Sequence, residues 1–140
     1  MQSEGMIEDL VRHLSSQNQQ LKMLCASAIF RLAEEDESRY LVKLHGGLEP
    51  LVQLLGEGEN YDNKELMAAV TGAIWKCASS AENVERFQEL GLIAVLIKIL
   101  KENCDALDDL QFNPQKIDVL TNVVGAISGE ERRTREIRDR

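Results

Sequence analysis

The side chains that most often carry enzyme chemistry are few in this chain and are not grouped. They are the two histidines and three cysteines His13, His45, Cys25, Cys77 and Cys104. None of them has the short, regular spacing of a metal or redox site, and the sequence contains neither a glycine-rich phosphate loop nor a Ser–His–Asp pattern. The acidic run at 34–37 is expected to be a solvated turn between helices. The sequence therefore predicts no catalytic residue, no metal and no cofactor, and it predicts that the protein is not an enzyme.

The charge of the chain narrows its possible ligands. Its 24 acidic and 16 basic residues leave a net charge of −8, whereas nucleic acids and anionic membranes attract clustered Lys and Arg. The longest apolar run is too short to span a bilayer, and residues 1–9 lack the basic and apolar regions of a signal peptide. We therefore expect a cytoplasmic protein that binds other proteins, without nucleic acid and without membrane insertion.

Two sequence elements recur along the chain. The first begins with glycine and is rich in leucine: GMIEDLVRHL (5–14), GGLEPLVQLL (46–55) and GLIAVLIKIL (91–100). The second is AIFRLA (28–33), AIWKCA (73–78) and, more faintly, VVGAIS (123–128). The first element recurs after 41 residues (5 to 46) and after 45 residues (46 to 91). A period of about 40–47 residues is typical of helical solenoids of the armadillo or HEAT kind.

The repeats predict an all-α fold, an armadillo-type right-handed α-solenoid of about three repeats over residues 1–129. Each complete unit is expected to contain three helices. We place the units at about 5–36, 37–81 and 82–129, and the first unit is truncated because it lacks its opening helix. The charged segment 130–140 is expected either to start a further repeat or to form a charged tail.

Glycine and asparagine mark the expected helix ends. The pair Gly46–Gly47 predicts the end of a helix, because glycine readily adopts the left-handed conformation found there. Asn18 and Asn63 occupy matching positions in the first two units. Each is predicted to cap the N-terminus of a long third helix.

Small and aromatic residues recur in neighbouring columns of these third helices. Ser27, Gly72 and Gly125 align, which predicts a close approach of helices, since glycine inside a helix costs about 0.5–1 kcal/mol relative to alanine. Trp75 aligns with Phe30. These aromatic rings are expected in the core, with an anchor in a protein interface as the alternative.

The two ends of the array depart from the middle unit. Met6, Ile7, Leu10 and Leu14 are expected to lack a preceding neighbour, as in a fragment of a longer array or a truncated gene product. In the third unit, an acidic segment at 101–115 adds about eight residues, which repeat proteins accommodate in loops. We expect a solvated loop, with a partner-docking element as the alternative. The candidate interface residues of this loop are Asp105, Asp108, Asp109 and Phe112.

Three stretches resemble a known family. They are RYLVKLHGGLEPLVQLL (39–55), AAVTGAIWKCASSAENVERFQELG (68–91) and LTNVVGAIS (120–128). They resemble armadillo repeats and, more narrowly, the armadillo proteins of the outer dynein arm docking complex in motile cilia. The resemblance implies a scaffold that attaches outer dynein arms to axonemal doublet microtubules, with coiled-coil docking subunits and dynein as partners. A generic cytosolic armadillo adaptor in signalling or adhesion is the alternative.

The resemblance also implies where partners bind. In armadillo proteins the third helices line a groove, in which importin-type and catenin-type members hold extended peptides with a ladder of asparagines. The asparagine positions map here to Arg31, Lys76 and Gly129, and the tryptophans that importin types add map to Ser27, Gly72 and Gly125. Because this ladder is absent, we do not expect binding of nuclear-import peptides.

Charged residues replace the ladder. Arg31 and Lys76 are predicted to form a basic row, with a polar and acidic row about three turns earlier on the same helices. The candidate groove residues are Arg31, Lys76, Gln20, Glu65, Asp118 and Ser27. They are predicted to orient a charged helix or coiled coil by electrostatic complementarity. The alternative is a solvated charged face, in which exposed ion pairs contribute about 0–1 kcal/mol.

Overall fold

The fold was obtained as a computed structural model that describes residues 2–56, 63–104, 122, 125–127, 129, 132 and 135. Residues 2–104, apart from 57–62, form seven α-helices and no strand. The helices are α1 (Gln2–His13), α2 (Gln19–Leu32), α3 (Asp36–Leu44), α4 (Leu48–Gly56), α5 (Lys64–Cys77), α6 (Ala81–Glu89) and α7 (Leu92–Cys104). The described residues beyond 121 are also helical. The predicted all-α fold is confirmed.

The helices stack so that the long ones, α2 and α5, pack along each other. Helix α1 packs on α2 and α3, α4 packs on α5 and α6, and α6 packs on α7. One apolar core runs through all of these contacts. The succession of helices follows the repeats in the sequence, and the boundaries of the three units stay a prediction.

Glycines end α3 and α6. Gly46 and Gly91 have φ angles of 73° and 74°, which residues with a Cβ rarely adopt. Gly47 has a different role, because a Cβ there would lie 2.8 Å from Cγ2 of Val11. The predicted helix end at Gly46–Gly47 is confirmed: the first glycine makes the turn and the second lets α1 approach.

Asparagine caps both long helices, as predicted. The side-chain oxygen of Asn18 accepts the backbone N–H of Leu21 at 3.1 Å, and that of Asn63 accepts the N–H of Leu66 at 3.1 Å. Asn63 also donates its side-chain N–H to Oε1 of Gln19 at 3.2 Å. This second bond joins the start of α5 to the start of α2.

We expect Asn63→Ala to lower the free energy of unfolding by about 1–2 kcal/mol, because it removes a helix cap and a bond between helices. Asn18→Ala removes a cap alone and should cost about 0.5–1 kcal/mol. Urea denaturation of the 140-residue variants measures both losses. Equal losses would show that the bond to Gln19 does not contribute to stability.

The cysteines of the first two units belong to the core, as expected. Cys25 and Cys77 are both buried. Burial raises the pKa of the Cys25 thiol. Burial also raises the pKa of the Cys77 thiol to about 12, against a smaller opposite effect of Arg39. Because thiolates rather than thiols react, these two residues act here as small apolar side chains.

The start of the chain is covered by the helices that follow it. Ile7 and Leu14 are 0% and 1% exposed; the helices that cover them follow α1 in the chain, so the expectation that they lack a preceding neighbour stays a prediction. The apolar surface of α1 is wide enough to face two helices, and α2 and α3 cover these side chains. Met6 remains 45% exposed, and Leu10 is only partly buried.

Candidate protein-binding groove

Helices α2 and α5 run parallel and side by side. Asn63, just before α5, contacts Gln19 at the start of α2. Lys76, near the end of α5, contacts Glu34, just after α2. The two pairs are separated by 44 residues (19 to 63) and 42 residues (34 to 76), so the relative position of the two helices changes little along their length.

A hollow of about 340 Å³ lies between these helices. It is lined by Met23, Ser27, Phe30, Arg31, Glu65, Ala68 and Ala69. The small side chains of Ser27, Ala68 and Ala69 leave the space, while Met23 and Phe30 give it an apolar wall. The structure thus brings together three of the predicted groove residues, Ser27, Arg31 and Glu65.

Opposite charges flank this hollow. Arg31 and Glu65 are both exposed. The offsets of 44 and 42 residues between contacting positions place Glu65 level with residues 21–23 of α2, and Arg31 lies eight to ten positions further along that helix (23 to 31 and 21 to 31). At 1.5 Å per residue, the two charges are separated by about 12–15 Å along the helix axes. The hollow therefore has a basic end and an acidic end.

Lys76 is already engaged within the fold. Its ammonium lies 3.0 Å from Oε1 of Glu34 and 5.2 Å from the centre of the Trp75 ring. The Glu34 side chain is 63% exposed, so this ion pair contributes at most about 1 kcal/mol. The predicted basic row thus consists of one exposed guanidinium, Arg31, and one ammonium that a partner would share with Glu34.

Two aromatic rings pack against the glycines that align with Ser27. A Cβ at Gly72 would overlap the ring of Phe30, and a Cβ at Gly125 would lie 2.5 Å from Cε2 of Trp75. In each case the ring lies on a glycine of the following predicted unit (30 to 72 and 75 to 125). The predicted close approach is confirmed. Phe30 and Trp75 are partly buried and pack against the core. Their expected place in the core therefore holds for part of each ring.

A polar junction between α2, α3, α5 and α6 was not predicted from the sequence. Arg39 donates to the Ser80 hydroxyl at 2.8 Å and to the backbone oxygen of Ala33 at 2.6 Å. Asn83, which is 1% exposed, donates to the backbone oxygens of Cys77 at 3.0 Å and Arg39 at 3.4 Å. The oxygens of Ala33 and Cys77 lie at the ends of α2 and α5, where a helix leaves carbonyl groups without an internal partner.

One sequence signal could have revealed this junction. Arg39 aligns with Val84 of the next unit (39 to 84), and Val84 is fully buried. A charged residue in a core column requires partners, and Arg39 finds Asp36 in addition to the groups above. Similarly, buried Asn122 donates to the backbone oxygen of Ala68 at 3.1 Å.

The remaining predicted residues divide into two groups. Gln20 is exposed on α2, one turn before Leu24, on the side of the helix that carries Ser27 and Arg31. Asp105, Asp108, Asp109, Phe112 and Asp118 lie outside the described residues.

Within the described part of the chain, no three His, Cys, Asp or Glu residues are grouped so that they could hold a metal ion. No helix in that part has the length and apolarity needed to cross a bilayer.

The fold and the repeats both match known proteins. The designed armadillo repeat protein YIII(Dq)4CqI superposes with a TM-score of 0.72 and 25% identity, over 89% of this chain and 47% of the designed chain. The Drosophila melanogaster armadillo repeat-containing protein gudu is 43% identical over 103 residues. The chain has the armadillo-repeat fold.

Two further armadillo relatives have a more specific name. The outer dynein arm-docking complex subunit 2 of Bos taurus is 52% identical over 102 residues, or 73% of this chain. The mouse protein of the same name is 56% identical over 62 residues, 44% of this chain and 6% of the mouse protein. The match to gudu covers 74% of this chain. This chain spans only about a tenth of the bovine protein and 15% of gudu. No model of a protein family matches the chain.

Proposed function

We propose that the chain is a non-enzymatic scaffold of the machinery that docks outer dynein arms onto axonemal doublet microtubules. The observation that carries this proposal is the 52% identity over 102 residues with the bovine outer dynein arm-docking complex subunit 2. The proposed partners are coiled-coil docking subunits and dynein, and the proposed location is the ciliary axoneme. The chain acts by holding its partners in place, without a chemical step.

The groove between α2 and α5 supports a binding role. Its walls are two helices of 14 residues each, held together by a continuous core, so the charges on them keep a set spacing. Exposed Arg31 and Glu65 provide opposite charges at the hollow. Such an arrangement selects and orients a partner by electrostatic complementarity more than it adds affinity.

A generic armadillo adaptor outside the axoneme is the second candidate. It is favoured by the 43% identity with gudu, whose name mentions armadillo repeats and no dynein. The two candidates share the fold and the groove. They differ in the proteins that the chain binds and in its location within ciliated cells.

The test is to express the tagged 140-residue chain in ciliated cells, to image it, and to measure which axonemal proteins purify with it. The proposal predicts signal along the axoneme and recovery of outer dynein arm docking subunits. Recovery of other partners with no axonemal signal would favour the adaptor. Absence of any specific partner would contradict both candidates.

Charge reversal in the groove should weaken this association. We expect the double variant Arg31→Glu and Lys76→Glu to recover about tenfold less docking protein, since one lost charge contact of about 1.4 kcal/mol corresponds to that factor. The control is Lys43→Glu with Lys101→Glu, which makes the same charge change at exposed positions on α3 and α7. Circular dichroism should be unchanged in both. Equal recovery with both double variants would show that partners bind elsewhere than the groove.

A further inference from the structure

We propose that the hollow between α2 and α5 receives one bulky apolar side chain of an amphipathic helix. In that helix a basic residue faces Glu65 and an acidic residue faces Arg31. This inference rests on the proposed function, because it specifies the kind of partner segment that the groove binds. It adds an apolar anchor, which the charges alone do not provide.

The walls of the hollow are suited to an apolar side chain. Met23 and Phe30 line it on α2, and the methyl groups of Ala68 and Ala69 line it on α5. At about 340 Å³, it lies at the lower end of the volumes of ligand pockets. Large aromatic side chains inserted into such pockets, with polar groups around them, are the usual centres of protein interfaces.

The exposed surface beside the hollow is also apolar. Leu24 is 55% exposed on α2, three positions before Ser27 and on the same side of the helix. Its counterpart on α5 is Ala69 (24 to 69), which is 8% exposed. The Leu24 side chain therefore projects beside the groove, whereas the small Ala69 side chain leaves room in it. An apolar side chain of a partner placed in that room would pack against both helices.

The spacing of the charges indicates a helical partner. Arg31 and Glu65 are separated by about 12–15 Å along the groove, which lies between two and three turns of an α-helix. Residues seven positions apart on a partner helix lie on one side of it about 10.5 Å apart, and long charged side chains can reach across the remaining distance. A residue midway between them faces the same way. One helix can therefore place a basic residue at Glu65, an apolar one in the hollow, and an acidic one at Arg31.

Helix-stabilised peptides of about 15 residues test this inference against the 140-residue chain by fluorescence anisotropy. The mixed peptide carries lysine and glutamate seven positions apart, with tryptophan midway between them. Three controls replace the charged pair by two lysines, replace it by two glutamates, or replace the tryptophan by alanine. Because a helix can dock in either direction, the identity of the charges is tested rather than their order.

We expect the mixed peptide to bind at least about tenfold more tightly than each control peptide at low ionic strength, where exposed charges are least screened. The preference should follow the groove. Arg31→Glu should favour the two-lysine peptide, and Glu65→Lys should favour the two-glutamate peptide. Ala68→Phe should fill the hollow and weaken the mixed peptide by a similar factor, whereas Ala94→Phe, at an exposed position on α7, should not.

The inference is overturned if the mixed peptide shows no saturable binding below about 1 mM, or if all four peptides bind equally. If Ala68→Phe loses the helical circular dichroism of the parent chain, the alanine-substituted peptide decides the role of the hollow. None of these measurements needs a docking protein. Failure with the peptides alongside recovery of docking subunits from cells would reject the hollow and keep the proposed function.

Discussion

Replacing Gly72 by leucine is expected to lower the free energy of unfolding by about 2–3 kcal/mol, the cost typical of adding atoms to a closely packed site. The Phe30 ring from α2 already occupies the space that a side chain on Gly72 of α5 would need. Either the ring must leave its position or the two long helices must separate. Both responses weaken the contact that joins the first two predicted units.

A matched control is available on α1. A Cβ at Gly5 would have no atom within 4 Å, so Gly5→Leu should not destabilise the chain and should gain about 0.5–1 kcal/mol from helix propensity. Urea denaturation of both variants, with the slope of unfolding checked for change, gives the comparison. Similar losses in the two variants would show that the Phe30–Gly72 contact does not limit packing.

Phe30→Ala in the Gly72→Leu background tests the cause directly. If the ring and the new side chain compete for one space, the double variant should be more stable than the sum of the two single losses predicts, by about 1 kcal/mol or more. Strict additivity would mean that the damage from leucine arises elsewhere. Recovery of stability would also show that the Gly72 variant was not simply unable to fold.

Phe87→Ala should have the largest effect of any single truncation considered, a loss of about 3–5 kcal/mol. Phe87 on α6 is the largest side chain that is fully buried among the described residues. Helix α6 packs on α3, α4 and α7, so the cavity would open where several helices meet. Because these backbones are fixed by their own contacts, they cannot close the space.

Tyr40→Ala is the control for losing an aromatic ring. Tyr40 lies on α3 and is 60% exposed, and exposed substitutions of this kind usually change stability by less than about 0.5 kcal/mol. Thermal and urea denaturation of the two 140-residue variants should therefore differ by several kcal/mol. A loss in Phe87→Ala no greater than in Tyr40→Ala would contradict the burial of this ring.

Several features were predictable because they depend on neighbours in the chain. The cap at Asn63 needs only the N–H of Leu66, three positions away, and the turn at Gly46 needs only a residue that tolerates a positive φ. The apolar period along α5 likewise identifies Leu66 and Ile74 as core, and both are fully buried. Such interactions extend over one or two helical turns, so the residue types themselves specify them.

The candidate site was only partly predictable. Alignment of the repeats placed Ser27, Arg31 and Glu65 on the groove side, and these three residues do line one hollow. It could not show that Lys76 contacts Glu34, because aligned residues such as Arg31 and Lys76 need not have aligned partners. That contact depends on the stagger between two helices.

The sequence by itself determined the helices, their ends and the repeat period, since these follow from local hydrogen bonding and the spacing of apolar residues. The tertiary structure alone decided that Phe30 lies on Gly72, that Arg39 joins Ser80 and Ala33, and that a hollow remains beside Ala68. Each of these depends on how far one helix is displaced along its neighbour. That displacement is the outcome of packing all the side chains between the helices at once, and no short stretch of sequence specifies it.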